Sequence, residues 1–135
     1  MKKSRKKQLI AEYLFRTANL LQKQSVRDGL TLRQAMLLGT LEEAEGSANL
    51  SDLSERFGCT RQNIRQLVDA LASKGFVRTE KAADDKRETL VILAEGAAQE
   101  NTAEVISSVF KGIGEKQLDG TLECLEKMME NLKAL

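Results

Sequence analysis

Ser54, Gly58, Ile64 and Leu67 stand at relative positions 0, 4, 10 and 13. That spacing constrains the fold more than any other feature of the chain. A small side chain lets a second helix cross close to the first, a glycine makes the tight turn between them, and two aliphatics fill the crossing. The pattern is that of a helix-turn-helix.

Its second helix is punctuated at both ends. Thr60 is suited to the N-cap, where its hydroxyl satisfies a free amide of the first turn. Gly75 supplies the left-handed residue that closes many helices. Between them Ile64, Leu67, Val68 and Leu71 recur at i, i+3, i+4 and i+7 and make one apolar face. Gln62, Arg65, Gln66 and Asp69 then point away from that face, and Arg61 and Asn63 flank them in the first turn. Arg can fork onto O6 and N7 of guanine, while Asn and Gln match N6 and N7 of adenine. A merely solvated helix face would also be polar, so this helix alone leaves both readings standing; its neighbours favour nucleic acid. Upstream, Ser51 is expected to cap a helix that turns Leu53 and Phe57 inward and ends at Gly58.

Downstream, Phe76-Val77-Arg78-Thr79 and Thr89-Leu90-Val91-Ile92-Leu93 are rich in β-branched and apolar residues and read as strands. The loop from Lys81 to Glu88 is all charge and alanine, long enough for a hairpin with an extended tip, a wing. Lys81, Lys86 and Arg87 are placed to reach phosphates or a minor groove. Asp84 and Asp85 would repel phosphates unless they hold those cations, so an Asp85–Arg87 pair that structures the wing is expected.

Leu-Thr-x-x-Gln at Leu30, Thr31 and Gln34, the helix-turn-helix, Gly75-Phe76-Val77-Arg78, Asp85-Lys86-Arg87 and the strand ending at Leu93 together resemble the MarR family of winged-helix transcriptional regulators. The resemblance runs from about Gly29 to Gly96, and its most specific element is the Asp-x-Arg of the wing. One departure follows the last strand. Members usually carry Leu-Thr with a glycine three residues after the Thr, whereas this chain has Leu93-Ala94-Glu95-Gly96. The resemblance implies a homodimer, joined through helices at both chain ends, that binds DNA. It also implies release by a small anionic or phenolic ligand lodged between those helices and the DNA-binding lobe.

The chain has 135 residues, enough for one domain with a modest core. Apolar residues make up 41% but aromatics only 4%, which suggests helices packed through Leu, Ile, Val and Ala. No run approaches the roughly 18 apolar residues of a membrane span, so no membrane partner is expected. The basic opening, Lys2 to Lys7, imitates the start of a signal peptide, but Glu12, Arg16 and Asn19 interrupt the apolar core such a peptide needs. Two cysteines far apart in sequence form no disulfide scaffold, and a reducing cytoplasm is the expected location.

The net charge of +1 does not announce a nucleic-acid partner, but its distribution is more telling. Residues 1–29 hold eight cations against two anions, and residues 59–93 seven against five. Residues 30–58 and 94–135 are acidic, with two cations against five anions and four against eight. Positive potential on one face is all that DNA binding requires.

The remaining chain reads as helices. The first is expected over Ser4 to Val26, with Ile10, Tyr13, Leu14, Thr17, Ala18 and Leu21 in one stripe, broken by Arg27-Asp28-Gly29. Thr31 with Gln34 reads as a capping box that opens a helix carrying Leu32, Ala35, Met36, Leu38 and Leu41 inward and ending near Glu45-Gly46. Ser47 to Asn49 can add a third strand beside the wing. A helix is expected from Ala94 to about Lys111, interrupted by Gly112 and Gly114. The last helix spaces Leu118, Leu122, Leu125, Met129 and Leu132 close to a heptad seam. In a monomer these terminal helices would leave long apolar stripes wet, and each buried Leu or Ile is worth roughly 1.5–3 kcal/mol. Pairing with a second copy solves that problem.

With no histidine, Ser-His or Cys-His catalysis is excluded and an ordinary zinc site disfavoured. No enzyme activity and no cofactor are expected. Cys59, just before the Thr60 cap and near Arg61, sits where a thiolate can be favoured, but a small apolar residue filling the turn is the preferred account. Cys124 reads as packing beside the last seam.

The expectation is therefore a mainly α protein with a small β-hairpin wing, a single domain over 1–135. Residues 29–93 form the DNA-binding lobe, and residues 1–28 and 94–135 the dimerisation helices. Thr60, Arg61, Gln62, Asn63, Arg65, Gln66, Lys81, Lys86 and Arg87 are the candidate DNA contacts on an inverted-repeat operator bound by a homodimeric repressor. The alternatives are a winged-helix adaptor without DNA binding and a redox sensor acting through Cys59.

Overall fold

The computed structural model describes residues 1–84, 87–97 and 102–135. The elements are α1 (Lys3–Gln22), α2 (Leu32–Glu43), β1 (Ser47–Asn49), α3 (Leu50–Phe57), α4 (Arg61–Ser73), β2 (Val77–Lys81), β3 (Thr89–Leu93), α5 (Ala103–Val109) and α6 (Glu115–Lys133). They fall into two compact units, residues 1–105 and 106–135. The chain is mainly helical with a small three-stranded antiparallel sheet, as its sequence suggests.

In the first unit the sheet order is β1-β3-β2. Ser47 pairs with Ile92 and Asn49 with Leu90 on one side of β3, while Val77 pairs with Leu93 and Lys81 with Thr89 on the other. The short Ser47–Asn49 run is therefore the third strand. With both of its edges hydrogen-bonded, β3 roots the hairpin firmly. Val91 in its middle is fully buried against Leu37, Leu41, Leu53, Ile64, Val68 and Leu71. One apolar core thus joins the sheet to α2, α3 and α4.

Local punctuation does most of the shaping. Thr31 and Gln34 form the capping box reciprocally, with Gln34 N donating to Thr31 Oγ1 at 3.1 Å and Thr31 N to Gln34 Oε1 at 3.0 Å. Gly58, at φ +65°, ends α3 in the left-handed conformation, and the Cys59 amide returns to the Ser54 carbonyl at 3.1 Å. Gly75, at φ +84°, does the same after α4, where the Phe76 amide reaches the Leu71 carbonyl at 3.0 Å. A side chain at either position would be strained, since L residues seldom adopt such angles.

Several expectations are corrected. α1 ends at Gln22 rather than Val26, because the chain straightens so that Val26 packs on the core and its amide meets the Leu30 carbonyl at 2.9 Å. Met36 does not face inward: it is 44% exposed, and Leu37 is the buried neighbour. At about 100° per residue, Met36 falls in the narrow arc of α2 left open between Leu32 and Leu37. Residues 94–97 form a turn rather than the start of a helix, with Ala97 N bonded to Ala94 O at 3.0 Å and Gly96 at φ +78°. α5 spans Ala103–Val109, and residues 98–101 of the expected helix lie outside the described residues.

α1 buries none of its residues, and Ile10, Tyr13, Leu14, Phe15 and Leu20 are all exposed. In the second unit α6 starts after Gly114 and likewise buries nothing. Leu122, Met129 and Leu132 of its seam are more than half exposed.

Candidate nucleic-acid interface

α4 divides cleanly. Ile64, Val68 and Leu71 are fully buried and Leu67 half-buried, while Arg61, Gln62, Asn63, Arg65, Gln66 and Asp69 are exposed. The 3.6-residue period requires this once one stripe is apolar. Thr60 caps the helix, its Oγ1 accepting from the Asn63 amide at 3.1 Å. That bond fixes the first turn, which carries Arg61, Gln62 and Asn63. Next to this turn, Cys59 is half-buried and packs against the core.

The cations of this face are not loose. Arg65 Nε lies 3.3 Å from Asp69 Oδ1, one helical turn on, and its Nη1 donates to Thr89 Oγ1 at 3.4 Å. Arg61 is engaged more closely. Its Nη2 lies 3.4 Å from Glu88 Oε1, and its Nη1 donates both to Ser51 Oγ and, at 3.5 Å, to Glu88 Oε2.

Glu88 is the centre of this junction. Its Oε2 accepts from Ser51 Oγ at 2.8 Å, and its Oε1 accepts from the amides of Ser51 and Thr89, each at 3.3 Å. The Ser51 hydroxyl foremost holds the Glu88 carboxyl below the ordinary glutamate range. Desolvation opposes it, and the Ser51 amide, the Thr89 amide and the Arg61 charge reinforce it. Ser51 is thus not the N-cap of α3, a position taken by Asn49; it lies inside the first turn and binds the wing root instead. Neither Ser51 nor Glu88 stood out in sequence as part of the site, because 37 residues separate them.

The wing loop is closed at its base by Ala82 N donating to Glu88 O at 3.0 Å. Lys81, at the end of β2, and Arg87 are both exposed. Asp85 and Lys86, and with them the expected Asp85–Arg87 pair, lie outside the described residues. At the other end of α4, Lys74 Nζ donates to Gly29 O at 2.8 Å and approaches Gln34 Oε1 at 3.5 Å.

A helix-turn-helix followed by a rooted β-hairpin defines a winged helix. A model described as MarR family matches residues 28–88, so this lobe is similar to that family. The chain is 31% identical over 83 residues to the HTH-type transcriptional regulator YfiV of Bacillus subtilis (strain 168). That match covers 59% of this chain and 46% of YfiV, so the chain spans less than half of that relative's length. Among solved structures, AbsC, a MarR family transcriptional regulator from Streptomyces coelicolor, is similar with a TM-score of 0.74 at 21% identity, covering 100% of this chain and 98% of AbsC. BpsR of Bordetella bronchiseptica, whose DNA binding is regulated by 6-hydroxynicotinic acid, is similar with a TM-score of 0.68 at 19% identity, covering 93% of this chain and 98% of BpsR. At such identities the likeness is one of fold.

Proposed function

We propose that the protein is a sequence-specific transcriptional regulator, a repressor, that binds a pseudo-palindromic operator in double-stranded DNA as a homodimer. The observation that carries this reading is the exposed row Gln62, Asn63, Arg65 and Gln66. It stands opposite a fully buried stripe, on a helix tied to a wing. Those side chains and Arg61 read base edges in the major groove, while Thr60, Lys81, Lys86 and Arg87 hold register on the backbone.

Dimerisation is supported by α1 and α6, whose apolar side chains stay exposed within their own units. Two reading helices related by a two-fold axis then enter successive major grooves about 34–36 Å apart. Release by a small anionic or phenolic ligand is in keeping with a surface groove of about 490 Å³ beside α2, where Met36 and Arg56 form part of the wall. No helix among the described residues is long and apolar enough to cross a membrane.

The adaptor reading draws on the internal pairing of Arg61 with Glu88 and Arg65 with Asp69. Sequencing the genomic DNA retained by the purified protein, followed by salt titration of the recovered duplex, separates the two. Regulator function predicts one enriched inverted repeat and a steep salt dependence. Retention of no particular sequence, with no dependence on salt, sinks it.

A further inference from the structure

Arg61 and Glu88 are unequal partners. The Glu88 side chain is 17% exposed and held by three hydrogen bonds besides its pairing with Arg61, whereas the Arg61 side chain is 49% exposed. We propose that Glu88 sets specificity: by neutralising Arg61 inside the protein, it withholds a cation from sequence-independent phosphate binding while leaving the guanidinium free to make directed hydrogen bonds. The inference rests on the DNA-binding reading and deepens it.

The physical reason lies in how the two kinds of contact depend on charge. Attraction to the phosphate backbone follows the number of cations that displace counterions, whatever the sequence. Base readout depends on the direction of donors, and a guanidinium has five of them. Glu88 and Ser51 occupy Nη1 and Nη2, which leaves Nε uncommitted among the contacts at this junction. A fixed carboxylate 3.4 Å from the guanidinium cancels most of its field beyond a few ångströms. Arg65 differs, because its carboxylate partner Asp69 is itself largely exposed and tied only through one helical turn.

The test compares wild type, Glu88→Gln, Arg61→Met and the double variant on the recovered operator and on a random duplex of equal length, across a range of salt. Glu88→Gln keeps an acceptor for the Ser51 amide but removes the charge. It should bind the random duplex about two- to fivefold tighter per protomer at low salt. Its slope of log K against log salt should steepen by about 0.9 per protomer. The operator-to-random ratio should fall, and Arg61→Met in the same background should abolish both gains. Weakening on both duplexes with an unchanged slope reduces Glu88 to a strut and overturns the proposal, as does a gain that survives Arg61→Met. Arg61→Met alone spares the Glu88–Ser51 bonds and gives a second route should Glu88→Gln not fold. Its operator affinity should fall further than its random-duplex affinity, and an equal loss on both duplexes overturns the proposal. Wild type that binds no duplex in a salt-dependent way overturns the DNA-binding reading and the inference together, whereas the preceding outcomes leave that reading intact.

Discussion

The guanidinium of Arg65, in the middle of the exposed face of α4, donates to the hydroxyl of Thr89, the first residue of β3, at 3.4 Å. One side chain therefore joins α4 to β3, and its orientation is set by both. A donor fork held in this way reaches a base edge with less entropy to lose than one on a free side chain.

Arg65→Ala should weaken operator binding and relax preference at one base pair by roughly 1–3 kcal/mol. Binding to an operator and to its single-base variants measures this. Equal loss on every duplex would remove Arg65 from base reading.

Arg87 is exposed next to the wing base, which Ala82 and Glu88 close. Arg87→Ala should lower affinity for all sequences alike and flatten the salt slope by about 0.9 per protomer. An unchanged slope would take the wing away from the phosphates.

Glu88 makes stability depend on acidity. Its folded-state carboxyl is shifted below the ordinary value, first by the Ser51 hydroxyl, so its contribution is complete above the unfolded-state pKa and vanishes as pH falls through the folded one. Wild type should therefore lose more stability than Glu88→Gln in the acid range below the ordinary glutamate pKa, and the two should run parallel at neutral pH. Thermal unfolding at stepped pH measures this, and parallel curves throughout would show that the carboxylate contributes no pH dependence.

Leu122, in the α6 seam, is 59% exposed. In a homodimer built on that seam, Leu122→Glu should cost at least about 1.5–3 kcal/mol per buried leucine removed and shift sedimentation towards single copies. A folded variant that remains paired would place the interface elsewhere.

Cys59 is half-buried against the core at the turn before α4. Mild peroxide should leave duplex binding of the wild type unchanged. Loss of binding in the wild type that Cys59→Ser prevents would restore the redox-sensor reading.

What the sequence made legible was local. The Thr60 cap, the Thr31–Gln34 box, the turn at Gly58 and the buried stripe of α4 each depend on residues within a few positions of one another, so spacing and side-chain chemistry suffice. What escaped was tertiary. Ser51 has the chemistry of a cap, but a carboxylate distant in the chain claims its hydroxyl. Glu88 lay unremarked in a charged loop, since only the folded hairpin brings it to Ser51 and Arg61. Met36 and Leu37 are equally apolar, and only the packing of α2 on α3 and β3 decides which of them is covered. Around Ala94, alanine and glutamate favour a helix, yet the chain turns at Gly96.

The bond from Lys74 to the Gly29 carbonyl bears on any attempt to transplant specificity. The trailing end of α4 is moored to the corner between α1 and α2 through the same Gln34 oxygen that completes the capping box. A chimera given a foreign helix over residues 61–73 but no donor at position 74 would inherit new side chains on a slackened mount. Swapped modules should thus retain their aim only when this lysine travels with the host scaffold, and matched chimeras with Lys74 and with Lys74→Ala would reveal the difference as blurred sequence preference.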